Sequence, residues 1–229
     1  MSIAGNLLKY KQEIELEGVQ LIAVSKFQDI TAIKEAYDAG QRVFGENLVQ
    51  ELVEKQVRLP QDIQWHLIGH LQTNKVKYIA PFISMIESVD SLKLLTEINK
   101  QAAKHNRIID CLLQIYIADE DTKFGLGFDE AIELLRSEEY ASLKNVRITG
   151  LMGIASNNAA EKQTTDEFTE LKVFFDGIKA SFFRKNDYFK EVSMGMSGDY
   201  KLAIEAGSTM VRIGSSIFGK RVIKHYKAQ

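Results

Sequence analysis

The stretch LIAVSKFQDITAIKEAYDAGQRVF, residues 21–44, decides the fold. Its opening run LIAVS (21–25) is apolar and short, which suits a buried strand. ITAIKEAYDAG (30–40) changes period: Ile33, Ala36 and Tyr37 share one helical face, and Gly40 stands where a C-terminal cap belongs. RVF (42–44) then returns to strand character. A strand, a helix and a second strand in direct succession predict two parallel strands joined by a crossover.

The alternation continues down the chain. Strand-like runs recur at WHLIG (65–69), SMIES (84–88), IDCLLQIYI (109–117), RITGLMGI (147–154), FKEVS (189–193) and MVRIG (210–214). Between them, SLKLLTEINKQAAK (91–104) puts Leu92, Leu95, Ile98 and Ala102 on one stripe. DEFTELKVFFDGIKASF (166–182) does the same with Phe168, Leu171, Phe175 and Ile178. Right-handed crossovers wind such a repeat into a doubly wound sheet or a closed barrel. Eight units in 229 residues, a little under the ~250 typical of the closed form, favour a single α/β (β/α)8 TIM barrel. An extra N-terminal helix, about residues 2–16, would cover its bottom or side. No low-complexity segment, charge block or linker interrupts the chain, so residues 1–229 read as one domain.

Composition excludes several classes. A net charge of −2 and a pI near 6.1 leave no electrostatic footprint for nucleic acid and no polybasic membrane patch. The apolar runs are too short to span a bilayer, and the charged N-terminus lacks the apolar core of a secretory signal. The single cysteine, Cys111, lies in an apolar run and reads as a reduced core residue of a cytoplasmic protein.

In a barrel of this kind, reactive residues sit at the C-terminal ends of strands and in the loops that follow. Lys26 falls there after the first strand; Gly45, Glu46 and Asn47 after the second; His70, Gln72 and Asn74 after the third. SMGMSGD (193–199) follows the seventh strand and GSS (214–216) the eighth. Barrels commonly bind phosphate with these last two loops, and small residues before a short helix let backbone N–H groups approach an anion. Glycine and serine near a helix start are also ordinary turn chemistry, so Arg212 carries weight. It lies two residues before Gly214, on the same side of the strand. A guanidinium inside a barrel needs a ligand or a carboxylate. A lysine, anion donors and an arginine together suit a phosphorylated aldehyde: the amine forms a Schiff base, the loops hold the phosphate and the arginine meets a ring nitrogen.

Longer motifs sharpen this. AVSK (23–26), FGEN (44–47), WHLIGHLQTNK (65–75), ESVDS (87–91), KFGL (123–126), ITGLMGI (148–154) and SMGMSGDYKLAIEAGSTMVRIGSSIFG (193–219) resemble the pyridoxal phosphate homeostasis protein family, whose barrel is similar to the N-terminal domain of alanine racemase. The resemblance implies pyridoxal 5'-phosphate (PLP) held covalently on Lys26. It places Ser197, Gly214 and Ser215 on the phosphate, Arg212 at the pyridine nitrogen and Asn47 along the site. A carboxylate partner keeps that nitrogen protonated in enzymes that use the ring as an electron sink; an arginine only donates and restrains carbanion chemistry. The sequence stops soon after the eighth strand, without the racemase's second domain and its tyrosine base. Ile154 stands where the racemase has a histidine. The resemblance therefore implies a monomeric carrier that buffers PLP and hands it to apoenzymes, with no catalytic residues. The alternatives are a single-domain PLP-dependent racemase or decarboxylase, and a cofactor-free Schiff-base aldolase.

Other polar residues read more plainly. His66 and His70 have no third partner of metal-binding spacing, and His105 and His225 read as solvated. Met194 and Met196 would brace the phosphate loop. Lys75 has two open readings, a solvated helix residue or an attractor of anions toward the mouth.

Overall fold

The structure, a computed structural model, describes residues 2–118 and 124–219 of the chain. Lys123 of KFGL, His225 and the tail KRVIKHYKAQ lie outside the described residues.

Eight parallel strands close into one barrel in sequence order. They are β1 (Gln20–Val24), β2 (Val43–Glu46), β3 (Gln64–Leu67), β4 (Met85–Val89), β5 (Ile109–Ile115), β6 (Val146–Gly153), β7 (Glu191–Met196) and β8 (Met210–Ile213). Closure comes from β1 beside β8, with Ile22 opposite Arg212 and Ala23 opposite Ile213. The helices are α1 (Ile3–Leu16), α2 (Ile30–Asp38), α3 (Val49–Gln56), α4 (Val76–Ile79), α5 (Leu92–Lys104), α6 (Phe128–Arg136), α7 (Glu138–Ser142), α8 (Glu161–Phe182), α9 (Tyr200–Glu205) and α10 (Ser215–Phe218). Among the described residues, no helix is long and apolar enough to cross a membrane.

Local chemistry sets these elements. Ser2, Asp29 and Ser91 accept N–H bonds at the starts of α1, α2 and α5, which satisfies donors that a helix leaves open. Phe168, Leu171, Phe175 and Ile178 of α8 are buried, as their spacing predicts, and so are Leu95, Ile98 and Ala102 of α5. Outward-facing strand residues such as Phe44, Leu67 and Ile86 join them in one core between barrel and helices. Cys111 is free and buried in that layer, and burial pushes its thiol pKa up.

A second, smaller core plugs the barrel itself: Ile22, Val43, Met85, Leu112, Met152 and Met210, with Ile154 against it. Side chains alternate along a strand, so two residues further toward the C-terminal ends the lining becomes Val24, Gly45, Glu87, Gln114, Ile154 and Arg212. The apolar plug thus forms a floor beneath a mixed layer whose polar members are Glu87, Gln114 and Arg212. The site rests on that layer.

Several expected boundaries move near the strand ends. β1 ends at Val24, one residue short of the expected run, and Ser25 begins a turn in which Phe27 has φ 62°. Gly45 and Glu46, expected after the second strand, lie within β2. SMGM is strand and not loop, because β7 runs to Met196 with a register shift against β8 between Ser193 and Met196. Gly195, at φ 95°, absorbs that shift. The N-terminal helix takes the side of the barrel, packed on α2, β1 and α10; Asn6 Nδ2 donates to Ile217 O at 3.1 Å.

Candidate functional site

A cleft of about 240 Å3 opens at the C-terminal ends of the strands. Lys26, from the turn after β1, lines it together with Asn47 after β2, Arg212 on β8 and Ser197, Gly214 and Ser215 from the last two loops. All six residues expected from the sequence therefore meet around one space. Ile154 lines it too, as does Met196, whereas Met194 is buried in the core. His70, Gln72, Asn74 and Lys75 do not line it.

The last two loops converge on one hydroxyl. Gly214 N–H donates to Ser197 Oγ at 3.4 Å, and Ser215 Oγ lies 3.5 Å from the same atom. Ser197 follows the end of β7, and its loop is tied by Met196 N–H donating to Asp199 Oδ1 at 2.5 Å. Gly214 is the cap position of α10. A Cβ there would come within 3.2 Å of Val24 Cβ and its carbonyl oxygen, so glycine keeps the two strand ends close. These contacts are long and weak, and they gather one backbone N–H and two hydroxyls, each able to donate to an anion, in one small region.

Arg212 is held from below. Its Nη1 donates to Ser193 Oγ at 2.6 Å and its Nη2 to Gly153 O at 2.8 Å. Ser193 Oγ in turn donates to Glu87 Oε2 at 2.6 Å, and His66 Nδ1 lies 2.7 Å from Glu87 Oε1. Burial pushes the Glu87 carboxyl up, but the His66 bond, the Arg212 charge and the Ser193 hydroxyl outweigh it and hold the pKa below its usual value. Burial lowers the Arg212 guanidinium, with Glu87 and Asp199 pulling the other way. Arg212 thus has the carboxylate expected of a buried guanidinium, at 4.0 Å, and also faces the cleft.

Asn47 is fixed by close approach. A Cβ on Gly69 would lie 2.5 Å from Asn47 O and 2.8 Å from its Cα, so only glycine lets the β3 loop press against it. Asn47 Oδ1 is buried and makes no hydrogen bond. That is an acceptor left for something in the cleft.

His66 and His70 both engage carboxylates, His70 Nδ1 lying 3.0 Å from Asp90 Oδ2 with its ring stacked on Phe124. Among the described residues, no group of three or more His, Cys, Asp or Glu side chains is placed to hold a metal. Sequence reasoning missed the Glu87–Ser193 link, although alternation from Met85 and Met210 points at both Glu87 and Arg212. It also missed Glu51 and Lys55. Glu46, grouped with Asn47 as a strand-end residue, faces outward: its Oε1 meets Lys55 Nζ at 2.7 Å, and Lys55 Nζ meets Glu51 Oε1 at 2.6 Å. An i,i+4 Glu–Lys pair ordinarily marks a solvated helix face, but here it is sealed.

The fold is a closed (β/α)8 barrel with a cleft at its strand ends, and comparison with known proteins agrees with that fold. Residues 1–222 match the family described as "Alanine racemase, N-terminal domain". The pyridoxal phosphate homeostasis protein of Vibrio alginolyticus is 39% identical over 210 residues, covering 90% of this chain and 88% of its own. That of Escherichia coli strain K12 is 37% identical over 233 residues, covering 96% and 97%. Among solved structures, PipY of Synechococcus elongatus PCC7942 with PLP bound has a TM-score of 0.85 at 35% identity, covering 95% of this chain and all of that one. Alanine racemase from Bartonella henselae, at 17% identity and a TM-score of 0.71, shares the fold over 60% of its length. The chain belongs to the pyridoxal phosphate homeostasis protein family.

Proposed function

We propose that this chain, working as one domain in the cytoplasm, binds pyridoxal 5'-phosphate, buffers it and passes it to apoenzymes, without turning over amino acids. The observation that carries this reading is the meeting of Lys26, Arg212 and the Ser197–Gly214–Ser215 donors around one cleft. The residues fit the cofactor on two further grounds. Gly214 N–H and Ser215 Oγ both approach Ser197 Oγ, which gathers three groups able to donate to a phosphate, and Asn47 brings an unpartnered buried acceptor. When bound, PLP would supply an aldehyde that the Lys26 amine would hold as a Schiff base, with loss of one water. Ser197, Gly214 and Ser215 would hold the phosphate. Arg212, anchored on Ser193 Oγ and Gly153 O, would donate toward the pyridine nitrogen and disfavour its protonation. Ile154 offers no proton-transfer group beside the ring, which supports a carrier over a racemase.

The test is the visible spectrum of purified protein titrated with PLP, then borohydride reduction and mass mapping of the adduct. Label on Lys26, lost in Lys26→Ala, is expected. Label on another lysine, or brisk chiral turnover of amino acids that needs Lys26, overturns the proposal.

A further inference from the structure

The interface between β2 and α3 is otherwise apolar, with Phe44, Leu52 and Leu67 fully buried. Into it the chain places two carboxylates and one ammonium: Glu46 and Glu51 are 0% exposed and Lys55 is 3% exposed. Taking charges out of water is unfavourable, and an apolar trio of similar volume commonly seals such an interface at least as well. The placement therefore calls for another purpose.

Their hydrogen bonds lead to it. Lys55 Nζ has three donors, which reach Glu46 Oε1, Glu51 Oε1 and the Ser25 carbonyl, the last at 2.7 Å. Ser25 Oγ donates to Glu46 Oε1 at 2.5 Å, and Phe27 N–H donates to Glu51 Oε1 at 2.6 Å. All three contacts outside the trio fall on the residues immediately before and after Lys26. Phe27, at φ 62°, occupies a region that aromatic residues avoid. Such a conformation persists where its surroundings over-determine it. The trio grips both flanks of a strained turn, and Lys26 is the residue between them.

We infer that Glu46, Glu51 and Lys55 are positioning residues: they hold the Ser25–Phe27 turn in the geometry that presents the Lys26 amine to the cleft. The inference rests on the reading of Lys26 as the residue that captures PLP. It predicts that loosening the grip slows covalent capture while leaving non-covalent recognition of the ring and phosphate intact.

The experiment uses the full chain with two probes. PLP reports covalent capture, through the growth of visible absorbance and borohydride labelling at Lys26. Pyridoxine 5'-phosphate, which has no aldehyde, reports non-covalent affinity. Glu51→Leu removes the acceptor for Phe27 N–H and is expected to slow capture about tenfold or more, a change of about 1.4 kcal/mol or more in the barrier. Its affinity for pyridoxine 5'-phosphate should stay within about twofold. Glu51→Gln keeps an acceptor oxygen and should restore most of the rate, which a general packing defect would not allow. Ser25→Ala removes one hydroxyl and leaves the trio paired; it should slow capture about threefold and decides the matter if Glu51→Leu does not fold. Capture at the wild-type rate in Ser25→Ala and in any folded Glu51→Leu, or parallel loss of both probes, overturns the inference. Lys26→Ala separates the two readings: an adduct that survives it overturns the role of Lys26 itself. An adduct abolished by it, with wild-type behaviour in the other variants, overturns only the positioning role.

Discussion

Arg212 Nη1 donates to Ser193 Oγ at 2.6 Å, and that hydroxyl in turn donates a hydrogen bond to Glu87 Oε2 at 2.6 Å. The guanidinium is therefore steered and neutralised from beneath, through an intermediary, so that its remaining donors are left for the cleft.

Removing the charge of Glu87 should be severe. Glu87→Gln leaves a buried guanidinium without its balancing carboxylate and is expected to destabilise the protein by about 3 kcal/mol, as measured by denaturant unfolding at neutral pH. The Glu87 pKa is held down in the folded state, so its contribution is present above the ordinary carboxylate range and fades as pH falls through the folded value. The gap between wild type and Glu87→Gln should narrow in acid. A gap independent of pH would contradict the pairing.

Glu46 predicts the opposite slope. Burial, opposed by Lys55, pushes its carboxyl pKa up to about 7. Below the unfolded value both states carry the proton, and between that value and about 7 only the folded state keeps it. Wild-type stability therefore falls as pH rises through this window. Glu46→Gln removes the effect, so its stability relative to wild type should improve by on the order of 3 kcal/mol between about pH 4 and about pH 8. Unfolding curves of both proteins across that range measure it.

The anion cradle can be isolated from the lysine. Ser197→Ala removes the hydroxyl that Gly214 and Ser215 share, and affinity for pyridoxal phosphate should drop about tenfold, the worth of one hydrogen bond to a charged group. Affinity for pyridoxal, which lacks the phosphate, should hardly change. Equal losses for both ligands would place the phosphate elsewhere.

Gly69 tests the wall. In Gly69→Ala the new methyl would meet Asn47 O at 2.5 Å, forcing backbone to move. An overpacking penalty of about 1–3 kcal/mol is expected, together with weaker binding of pyridoxine 5'-phosphate as Asn47 shifts. Crystallography or calorimetry of the variant checks both.

The barrel was legible because hydrophobic period, helix caps and right-handed crossovers all favour the same winding, and all eight strand runs form strands. Boundaries were less so. Ser25 reads as strand by composition, yet its hydroxyl and carbonyl are claimed by Glu46 and Lys55, which bend the chain away from the sheet. SMGM reads as a loop because glycine suggests a turn, but Gly195 serves a bulge within β7. The cleft-lining residues were legible through the rule for strand ends and through the long C-terminal motif. What lay hidden were partners distant in sequence: nothing local links Glu87 to Ser193, and Glu51–Lys55 looks like a surface pair until α3 is seen pressed onto β2.

Because β1 closes against β8, the lysine side of the cleft is translated near the start of the chain and the arginine and anion-binding side near its end. A chain halted before Met210 would hold Lys26 and Ser197 but lack Arg212, Gly214 and Ser215. The wall that brings Lys26 and Arg212 around one cleft therefore exists only once β8 has closed on β1.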